Sequence, residues 1–425
     1  MKKRVYIRIG VGILLWLFAG FAFEVLQGRR VIADLIYLME EPALLATDYM
    51  SNVSIGAAII NSALCGLLCL ILMYCMKIEV QSIHIAAIMT VIGHALFGKN
   101  LLNMESILAG CFICVRVFRV SFRKYLHSAF FSTGIAPVAS FFAFEGFLDK
   151  GPLSFITGHI LGILCGFAVM YLSLHLPVLH NGYTLLNGGL ACGIAATVLY
   201  GIMQLFGAVN VVHAATPLSG DNYFFAPVLL CIFASLFIFG TIRNEGFRGL
   251  LDMQFRKGKA APFLDEYGAG LTYMNMGLVG MLTTLYIVLI GAELNGLTIG
   301  AILTSVGFAC YGQTAMADLP IMLGTLWGAY LMEYLLPGYT GVYNATGLAA
   351  GAVFATGLAP LSSSHGPFTG FFMGIIHAYL VTKTAALQGY MSLYNNGFSI
   401  GILAVLFFQT EKIISKLKAH KKGLS

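Results

Sequence analysis

The sequence predicts an all-α, polytopic membrane protein, and three observations lead to this prediction. Hydrophobic residues make up 59% of the 425 residues and charged residues only 10%, whereas a soluble globular chain has about 25% charged residues. Runs of about 20 apolar residues recur along the chain, which is the length that crosses a bilayer core as a helix. Continuous runs, rather than short alternating segments, favour helices over a transmembrane β-barrel. The lipid bilayer is therefore the first expected partner.

About fourteen apolar segments follow one another along the chain. They cover residues 5–26, 50–75, 79–97, 101–118, 124–143, 153–176, 183–206, 223–243, 268–291, 295–311, 317–337, 341–360, 366–383 and 390–411. The first has a basic start but no small-x-small cleavage site, so we interpret it as a membrane span rather than a cleaved signal peptide. Polar elbows divide regions 79–118 and 295–337, and the sequence leaves open whether these regions are re-entrant hairpins or pairs of full spans.

The distribution of basic residues predicts how the segments are oriented. Lysines and arginines cluster at residues 2–4, 116–124, 243–259 and 412–422. Because cytoplasmic loops are enriched in Lys and Arg, we expect both termini and a central linker (about 244–267) to be cytoplasmic, in a bacterial inner membrane. The loop 207–222 has no Lys or Arg and is expected outside. These loops explain the net charge of +6, so nucleic acid is not an expected partner.

Five stretches of the first half recur in the second half in the same order. They are TGIAPVAS (133–140) with TGLAPLSS (356–363), GHALFGKNLLNMESILAG (93–110) with GFACYGQTAMADLPIMLG (307–324), YMSNVSIG (49–56) with YMNMGLVG (273–280), GPLSF (151–155) with GPFTG (366–370), and GYTLLNGGLACGI (182–194) with GYMSLYNNGFSIGI (389–402). We therefore predict two repeats, 1–207 and 208–425, of seven segments each. Since seven is odd, the second repeat enters the membrane from the opposite side, which defines an inverted-topology repeat.

The elbows of the two halves are the first candidates for a substrate site. In inverted-repeat transporters the site lies near the midplane, where broken helices of both halves meet. We therefore predict substrate-binding roles for Lys99, Asn100, Gln313, Thr314 and Asp318. A charge within an apolar segment is costly and is usually paired or functional, and Asp318 is the candidate partner of Lys99. The alternative is a surface loop in which Lys99 is an ordinary interfacial anchor.

Asparagines at matching places in the two halves are the second candidates. Asn187, Asn395 and Asn396 precede glycines, and Asn52 and Asn275 repeat the theme. Within an apolar segment, a side-chain amide can coordinate a polar solute. The alternative role is a hydrogen bond between packed helices.

The repeated TG-h-AP-h-x-S motif and the histidines complete the candidate site. The prolines of this motif free backbone carbonyl groups, and Thr133, Thr356 and Ser363 either satisfy these groups at a helix end or line a passage. His94 and His377 are candidates for proton relay because histidine titrates near neutral pH. Packing residues with hydrogen bonds are the alternative.

Other motifs exclude several functions. GHALFGKN fits G-x-x-x-x-G-K, but Asn100 stands where a phosphate loop requires Ser or Thr, so no nucleotide is expected. Cys111 and Cys114 have the spacing of a metal knuckle, but they lie in an apolar run without a second pair. We expect no metal and no cofactor.

FGKNLLN, SSSHGPFTG and LYNNGF together resemble an uncharacterised family of bacterial membrane proteins, described as a domain of unknown function. The resemblance covers nearly the whole chain and implies no substrate and no site residue. A seven-plus-seven inverted repeat is similar to nucleobase and sulfate transporters, and the Asn-Gly turns are similar to those of urea channels, at the level of fold alone.

The expected function is secondary transport of a small hydrophilic solute by alternating access around a midplane site. The protein is not expected to be an enzyme. A passive solute channel and an intramembrane enzyme or lipid-processing protein are the alternatives. The sequence leaves open a coupling ion and a homo-oligomer.

Overall fold

The computed structural model describes residues 2–45, 47–146, 148–207 and 220–421, with side chains from residue 5 to residue 418. Every regular element within these ranges is a helix, so the predicted all-helical class is confirmed. Most of the predicted outer loop (207–222) lies outside the described residues, because residues 208–219 are not among them. The predicted second repeat begins within this range, and Lys422 of the basic tail also lies outside the described residues.

The first half of the chain forms eleven α-helices within the described residues. They are α1 (Lys2–Leu26), α2 (Val31–Glu40), α3 (Tyr49–Asn52), α4 (Ile55–Cys75), α5 (Ser82–His94), α6 (Leu101–Val117), α7 (Phe122–Ser132), α8 (Pro137–Phe144), α9 (Pro152–His175), α10 (Pro177–His180) and α11 (Asn187–Leu205). A 3-10 turn at Thr133–Ile135 joins α7 to α8, because Pro137 cannot donate the backbone hydrogen bond that a continuous helix requires.

The second half repeats this order of long and short helices. Its helices are α12 (Asn222–Arg243), α13 (Leu250–Gln254), α14 (Phe263–Glu266), α15 (Gly268–Leu289), α16 (Gly296–Phe308), α17 (Ala315–Leu335), α18 (Thr346–Ala355), α19 (Ala359–His365), α20 (Pro367–Leu387) and α21 (Asn395–Lys421). A 3-10 turn at Thr356–Leu358 joins α18 to α19. The short helices α13 and α14 lie in the predicted linker 244–267. Positions at the same place in corresponding helices are called matching below.

Within the described residues, eleven helices are long and apolar enough to cross a membrane. They are α1, α4, α7 with α8, α9, α11, α12, α15, α17, α18 with α19, α20 and α21. Three of the fourteen predicted segments are shorter: α5 and α16 have 13 residues and α6 has 17. At 1.5 Å per residue, 13 residues extend about 20 Å, which is less than the hydrocarbon thickness of about 30 Å.

The short helices α5 and α16 cross each other at the centre of the molecule. A Cβ atom added at Gly93 would lie 2.5 Å from the carbonyl oxygen of Gly300, and one added at Gly307 would lie 3.3 Å from the backbone of Ala86. The residue numbers of α5 increase in the direction in which those of α16 decrease, so the two helices are antiparallel. Small residues permit this close approach of two backbones.

One buried asparagine in each half holds an elbow in place. The side-chain amide of Asn61 donates to the carbonyl oxygens of Ala95 and Lys99, each at 2.7 Å. The amide of Asn275 donates to the carbonyl oxygens of residues 309 and 313, also at 2.7 Å. The two asparagines are separated by the same number of residues as the two acceptors 95 and 309, and as the two acceptors 99 and 313. Asn52, which the sequence analysis grouped with Asn275, lies in the short α3, and Asn61 makes the bonds that correspond to those of Asn275.

Candidate functional site

A small cavity lies beside the crossing of α5 and α16, and we call it the central cavity. Its atom-free space, counted together with the space at its openings, is about 360 Å³. Its lining residues are all buried or half-buried. Twelve of the thirteen form six matching pairs: Thr90 with Thr304, Phe131 with Phe354, Leu185 with Leu393, Leu186 with Tyr394, Gly188 with Asn396, and Gly189 with Gly397. His94 is the thirteenth. The first half of the chain therefore contributes seven residues to the wall of this cavity and the second half contributes six.

Two larger cavities flank the central cavity. The first vestibule, of about 1070 Å³, reaches Ile83 at the start of α5, and the second vestibule, of about 930 Å³, reaches Leu297 at the start of α16. Because α5 and α16 are antiparallel, their starts lie at opposite ends of the pair. Phe131 lines both the central cavity and the first vestibule, and Phe354 lines both the central cavity and the second vestibule. One phenylalanine thus stands at each boundary.

Lys99 is fully buried in the first elbow, so the alternative of a surface anchor is wrong. Its Nζ donates to the hydroxyl oxygen of Tyr394 at 2.5 Å and lies 4.5 Å from the centroid of that ring. No carboxylate among the described residues forms an ion pair with it. The predicted pairing of Lys99 with Asp318 is also wrong, because Asp318 accepts a hydrogen bond from Gln313 instead, at 2.9 Å.

The second elbow has the uncharged side chain of Gln313 at the position that matches Lys99. The side-chain amide of Gln313 donates to Asp318, to Ser305 and to Thr356, the last at 3.0 Å. Gln313 and Thr356 line a side cavity of about 180 Å³ that shares Leu186 with the central cavity. The Oδ1 atom of Asp318 is buried without a hydrogen-bond partner among the described residues. The second elbow thus places a carboxylic acid beside, but not in, the lining of the cavities.

Asn100 and Thr314 cap helices and do not line any of the four cavities. The side chain of Asn100 accepts from the backbone N–H of Asn103 at 2.9 Å, which starts α6. The side chain of Thr314 accepts from the backbone N–H of Ala317, which starts α17. Such caps satisfy N–H groups that have no partner within the helix. These two residues position the elbows.

The predicted asparagines lie at the starts of α11 and α21, where they line the cavities. Asn187 lines the first vestibule and donates to the carbonyl oxygen of Ser173 at 3.0 Å. Asn395 lines the second vestibule and donates to the carbonyl oxygen of residue 381 at 2.9 Å. Asn396 lines both the second vestibule and the central cavity, and its Oδ1 lies 3.2 Å from Nε2 of His377. His377 is thus one contact away from the central cavity.

The remaining predicted residues divide between lining and packing. His94 lines the central cavity, and its Nδ1 lies 2.9 Å from the carbonyl oxygen of Thr90. A carbonyl oxygen only accepts, so Nδ1 carries the proton of the neutral ring and Nε2 is left with a lone pair. Thr133 donates to the carbonyl oxygen of Phe130 at 2.6 Å and, like the half-buried Ser363, lines none of the four cavities.

Sequence reasoning predicted only His94 and Asn396 among the residues that line the central cavity. Those it missed include Thr90, Phe131, Thr304, Phe354 and Tyr394. The two threonines stand at the same place in the aligned short segments, and each phenylalanine stands two residues before a TG motif. This recurrence is a signal that could have identified both pairs. Tyr394 has no such signal because its matching residue is Leu186.

Within the described residues, no three His, Cys, Asp or Glu side chains are grouped so as to hold a metal ion. No curated protein and no solved structure matches the chain. One family model, described as "Protein of unknown function (DUF1576)", matches residues 27–205 and 242–412. The unmatched residues 1–26 and 206–241 contain α1 and most of α12, which are corresponding helices. The resemblance to an uncharacterised family is confirmed, and the chain belongs to the family of proteins of unknown function DUF1576.

Proposed function

We propose that this protein is a secondary transporter, which moves a small hydrophilic solute by alternating access around the central cavity. The carrying observation is the row of three cavities along the α5–α16 pair, in which the middle one is the smallest and is lined by residues of both halves. Transporters with inverted repeats bind their substrates at such a midplane junction of broken helices. The breaks between α7 and α8 and between α18 and α19 lie beside this cavity.

Two inverted repeats, 1–207 and 208–425, are part of this mechanism. Contacts across a two-fold axis are reciprocal: if residue i contacts residue j, the residue matching j contacts the one matching i. Gly93 contacts Gly300, and the matching pair Gly307 and Ala86 also meet. Since α5 and α16 are antiparallel, the axis that relates them is perpendicular to both and lies in the membrane plane. This orientation supports opposite insertion of the two halves.

We infer that α5 with α6, and α16 with α17, form re-entrant hairpins. Asn61 is the seventh residue of α4, so the first elbow that it binds lies about 9 Å along that helix. Asn275 is the eighth residue of α15 and holds the second elbow at a similar depth. The residues of the first elbow (95–100) are all buried. Backbone that leaves the helical pattern at such a depth must be enclosed by protein or line a cavity.

Phe131 and Phe354 act as the two gates of this mechanism. Phe131 stacks on Phe308 with ring centroids 5.6 Å apart, and Phe354 packs on His94 with centroids 5.3 Å apart. Movement of one phenylalanine away from its partner joins the central cavity to the adjacent vestibule. Alternating access requires that the two gates open in turn.

The first vestibule faces the cytoplasm and the second vestibule faces the outside in this proposal. Ala260, from the basic central linker, lines the first vestibule, and basic loops stay on the cytoplasmic side. Both termini are then cytoplasmic, because each half has an odd number of crossings. A bacterial inner membrane is the expected location.

Cysteine labelling from each face of the membrane tests this proposal without knowledge of the solute. Ser128 lines the first vestibule and Thr382 the second, so Ser128→Cys and Thr382→Cys report on opposite sides. The exposed Cys75 and Cys231 are first replaced by serine. A membrane-impermeant maleimide should label position 128 from the inside only and position 382 from the outside only.

The gates are tested with a third reporter, Thr304→Cys, in the central cavity. This cysteine should be protected in the otherwise unchanged protein. Phe131→Ala should expose it to reagent from the inside, and Phe354→Ala should expose it from the outside. Labelling of positions 128 and 382 from the same face would refute the proposal. Labelling of the central reporter from both faces without either gate variant would indicate a passive channel.

A further inference from the structure

The central cavity is chemically asymmetric although its walls come from matching positions. Three lining residues are polar where the matching residue is apolar or glycine: His94 against Phe308, Tyr394 against Leu186, and Asn396 against Gly188. Behind Tyr394, Lys99 matches the neutral Gln313. The two halves of the chain thus place different side chains at four matching positions in or beside the cavity. A ligand in this cavity therefore meets two different environments.

Two long helices begin at the wall of the cavity without caps on their first N–H groups. Leu186, at the start of α11, gives no side-chain cap, and Oδ1 of Asn395 at the start of α21 accepts hydrogen bonds from the side chains of Thr384 and Gln388 instead. Among the described residues, the backbone N–H groups of Gly188 and Gly397 have no acceptor. Helix N-termini carry partial positive charge and unsatisfied donors. A Cβ atom at Gly189 would lie 2.5 Å from Cα of Gly397, so the two helix starts converge.

Lys99 does not line the central cavity itself, but it contacts the cavity wall through Tyr394. Tyr394 is buried and lines the cavity, and its hydroxyl oxygen accepts from Lys99. The hydroxyl hydrogen has no acceptor among the described residues, so it is available to a ligand. A buried cation without a counter-ion is destabilising, and an anion bound in the cavity would offset that cost.

His94 indicates which second group a ligand of the central cavity needs. It is buried and lines the cavity, and its Nδ1–H is engaged by the carbonyl oxygen of Thr90. No hydrogen bond to its Nε2 is formed by the described residues, so the lone pair of this atom is unpartnered. A ligand thus needs a hydrogen-bond donor in addition to its anionic group. An ammonium donor would be repelled by Lys99, which favours a hydroxyl group.

We propose that the central cavity binds a small hydroxycarboxylate. The carboxylate accepts from the helix N-termini of α11 and α21 and from the hydroxyl of Tyr394, and the hydroxyl group of the ligand donates to Nε2 of His94. The central cavity is much smaller than either vestibule, which restricts the ligand to a few carbon atoms. This inference rests on the proposed function, because it identifies the solute class of the same site.

Binding to the full chain purified in detergent tests this assignment with three matched probes. Glycolate has both groups, acetate lacks the hydroxyl group, and glycolamide lacks the charge. Calorimetric titration at constant ionic strength should give the highest affinity for glycolate. Acetate should bind about tenfold more weakly, and glycolamide at least about tenfold more weakly still, since hydrogen bonds to charged groups contribute more than neutral ones. Equal affinity for glycolate and glycolamide, or no binding of glycolate, would overturn the assignment.

Two tyrosine variants separate the site from general effects on folding. Tyr394→Phe should lower the affinity for glycolate at least about tenfold, because it removes a donor to a charged group. Tyr200→Phe is the matched control, since Tyr200 is also buried but lines none of the four cavities, and it should bind glycolate like the unchanged protein. Unchanged affinity in Tyr394→Phe would contradict the proposed role of this hydroxyl group.

The binding experiment tests the solute class and the labelling experiment tests the transporter, so one proposal can be refuted without the other. Glycolate binding with both vestibule reporters labelled from one face would keep the site but refute the transporter. Labelling from opposite faces without carboxylate binding would keep the transporter and refute the solute class.

Discussion

Replacement of Asn61 by leucine is the most direct perturbation of the elbow that carries Lys99. Asn61 is fully buried in α4, and its amide donates two hydrogen bonds of 2.7 Å to carbonyl oxygens of the elbow. Leucine has the same branched arrangement of side-chain heavy atoms but no donor, so the two carbonyl groups lose their partner. Side-chain hydrogen bonds in membrane proteins contribute about 0.6 kcal/mol on average and about 1.7 kcal/mol at most. We therefore expect Asn61→Leu to lower the free energy of unfolding by about 1–3 kcal/mol.

Asn275→Leu is the matched variant, because Asn275 makes the same two bonds to the second elbow at the same distances. Its destabilisation should equal that of Asn61→Leu within about 0.5 kcal/mol. Thr283→Val serves as the control, since the hydroxyl of Thr283 donates to carbonyl groups within its own helix. This change should cost less than about 0.5 kcal/mol, because those carbonyl groups keep their helical bonds.

Equilibrium unfolding in mixed micelles of mild detergent and dodecyl sulfate, followed by circular dichroism, measures all three variants. A cost near zero for both asparagine variants would show that the elbow bonds do not stabilise the fold. A cost in one variant only would show that the two elbows are not equivalent, and either result would refute the reasoning.

Two further predictions concern the helix crossing and one loop. Gly93→Ala should destabilise the protein by about 1–3 kcal/mol, because the added methyl group would lie 2.5 Å from a backbone oxygen of Gly300; Gly201→Ala, with nothing within 4 Å, should not destabilise it, and equal thermal unfolding of both would contradict this. Burial raises the pKa of Asp48 from 3.8 to about 6, although hydrogen bonds from Met50, Gly296 and residue 51 oppose the shift. Since the folded pKa exceeds the unfolded one, this stabilising contribution is complete below pH 3.8 and is lost as the pH rises through about 6, by about 3 kcal/mol in total. Asp48→Asn should flatten the pH dependence of the unfolding free energy between about pH 4 and 6, and an unchanged slope would refute the assignment.

The helical class and most segments could be predicted because a bilayer imposes a simple composition on the chain. A span requires about 20 apolar residues, and eleven long helices within the described residues meet that requirement. The length of α5 could not be predicted this way, because its apolar run continues through Ala95, Leu96 and Phe97 beyond the last helical residue, His94. Apolar composition shows where a chain avoids water, and it does not show where a helix ends.

The candidate site was predicted in part, because recurrence identifies positions but not contacts. Lys99 and Gln313 were correctly recognised as buried polar elbow residues. The partner of Lys99 is Tyr394, which is 295 residues away along the chain, and only the packing of α21 against the first half brings the two together. Asp318 was chosen as the partner because it lies in the matching elbow, but two elements with similar sequences need not touch.

The asymmetry of the central cavity follows from its place on the interface between the halves. A solute bound there meets each kind of position twice, once from each half, so identical residues would suit only a solute with two identical ends. Glycines at positions 189 and 397 are the same in both halves, since they allow the helix starts to approach each other. Tyr394 and Leu186 differ although both line the cavity. Packing thus accounts for the shared glycines, and the proposed ligand, which has two different ends, would account for the polar residues that differ.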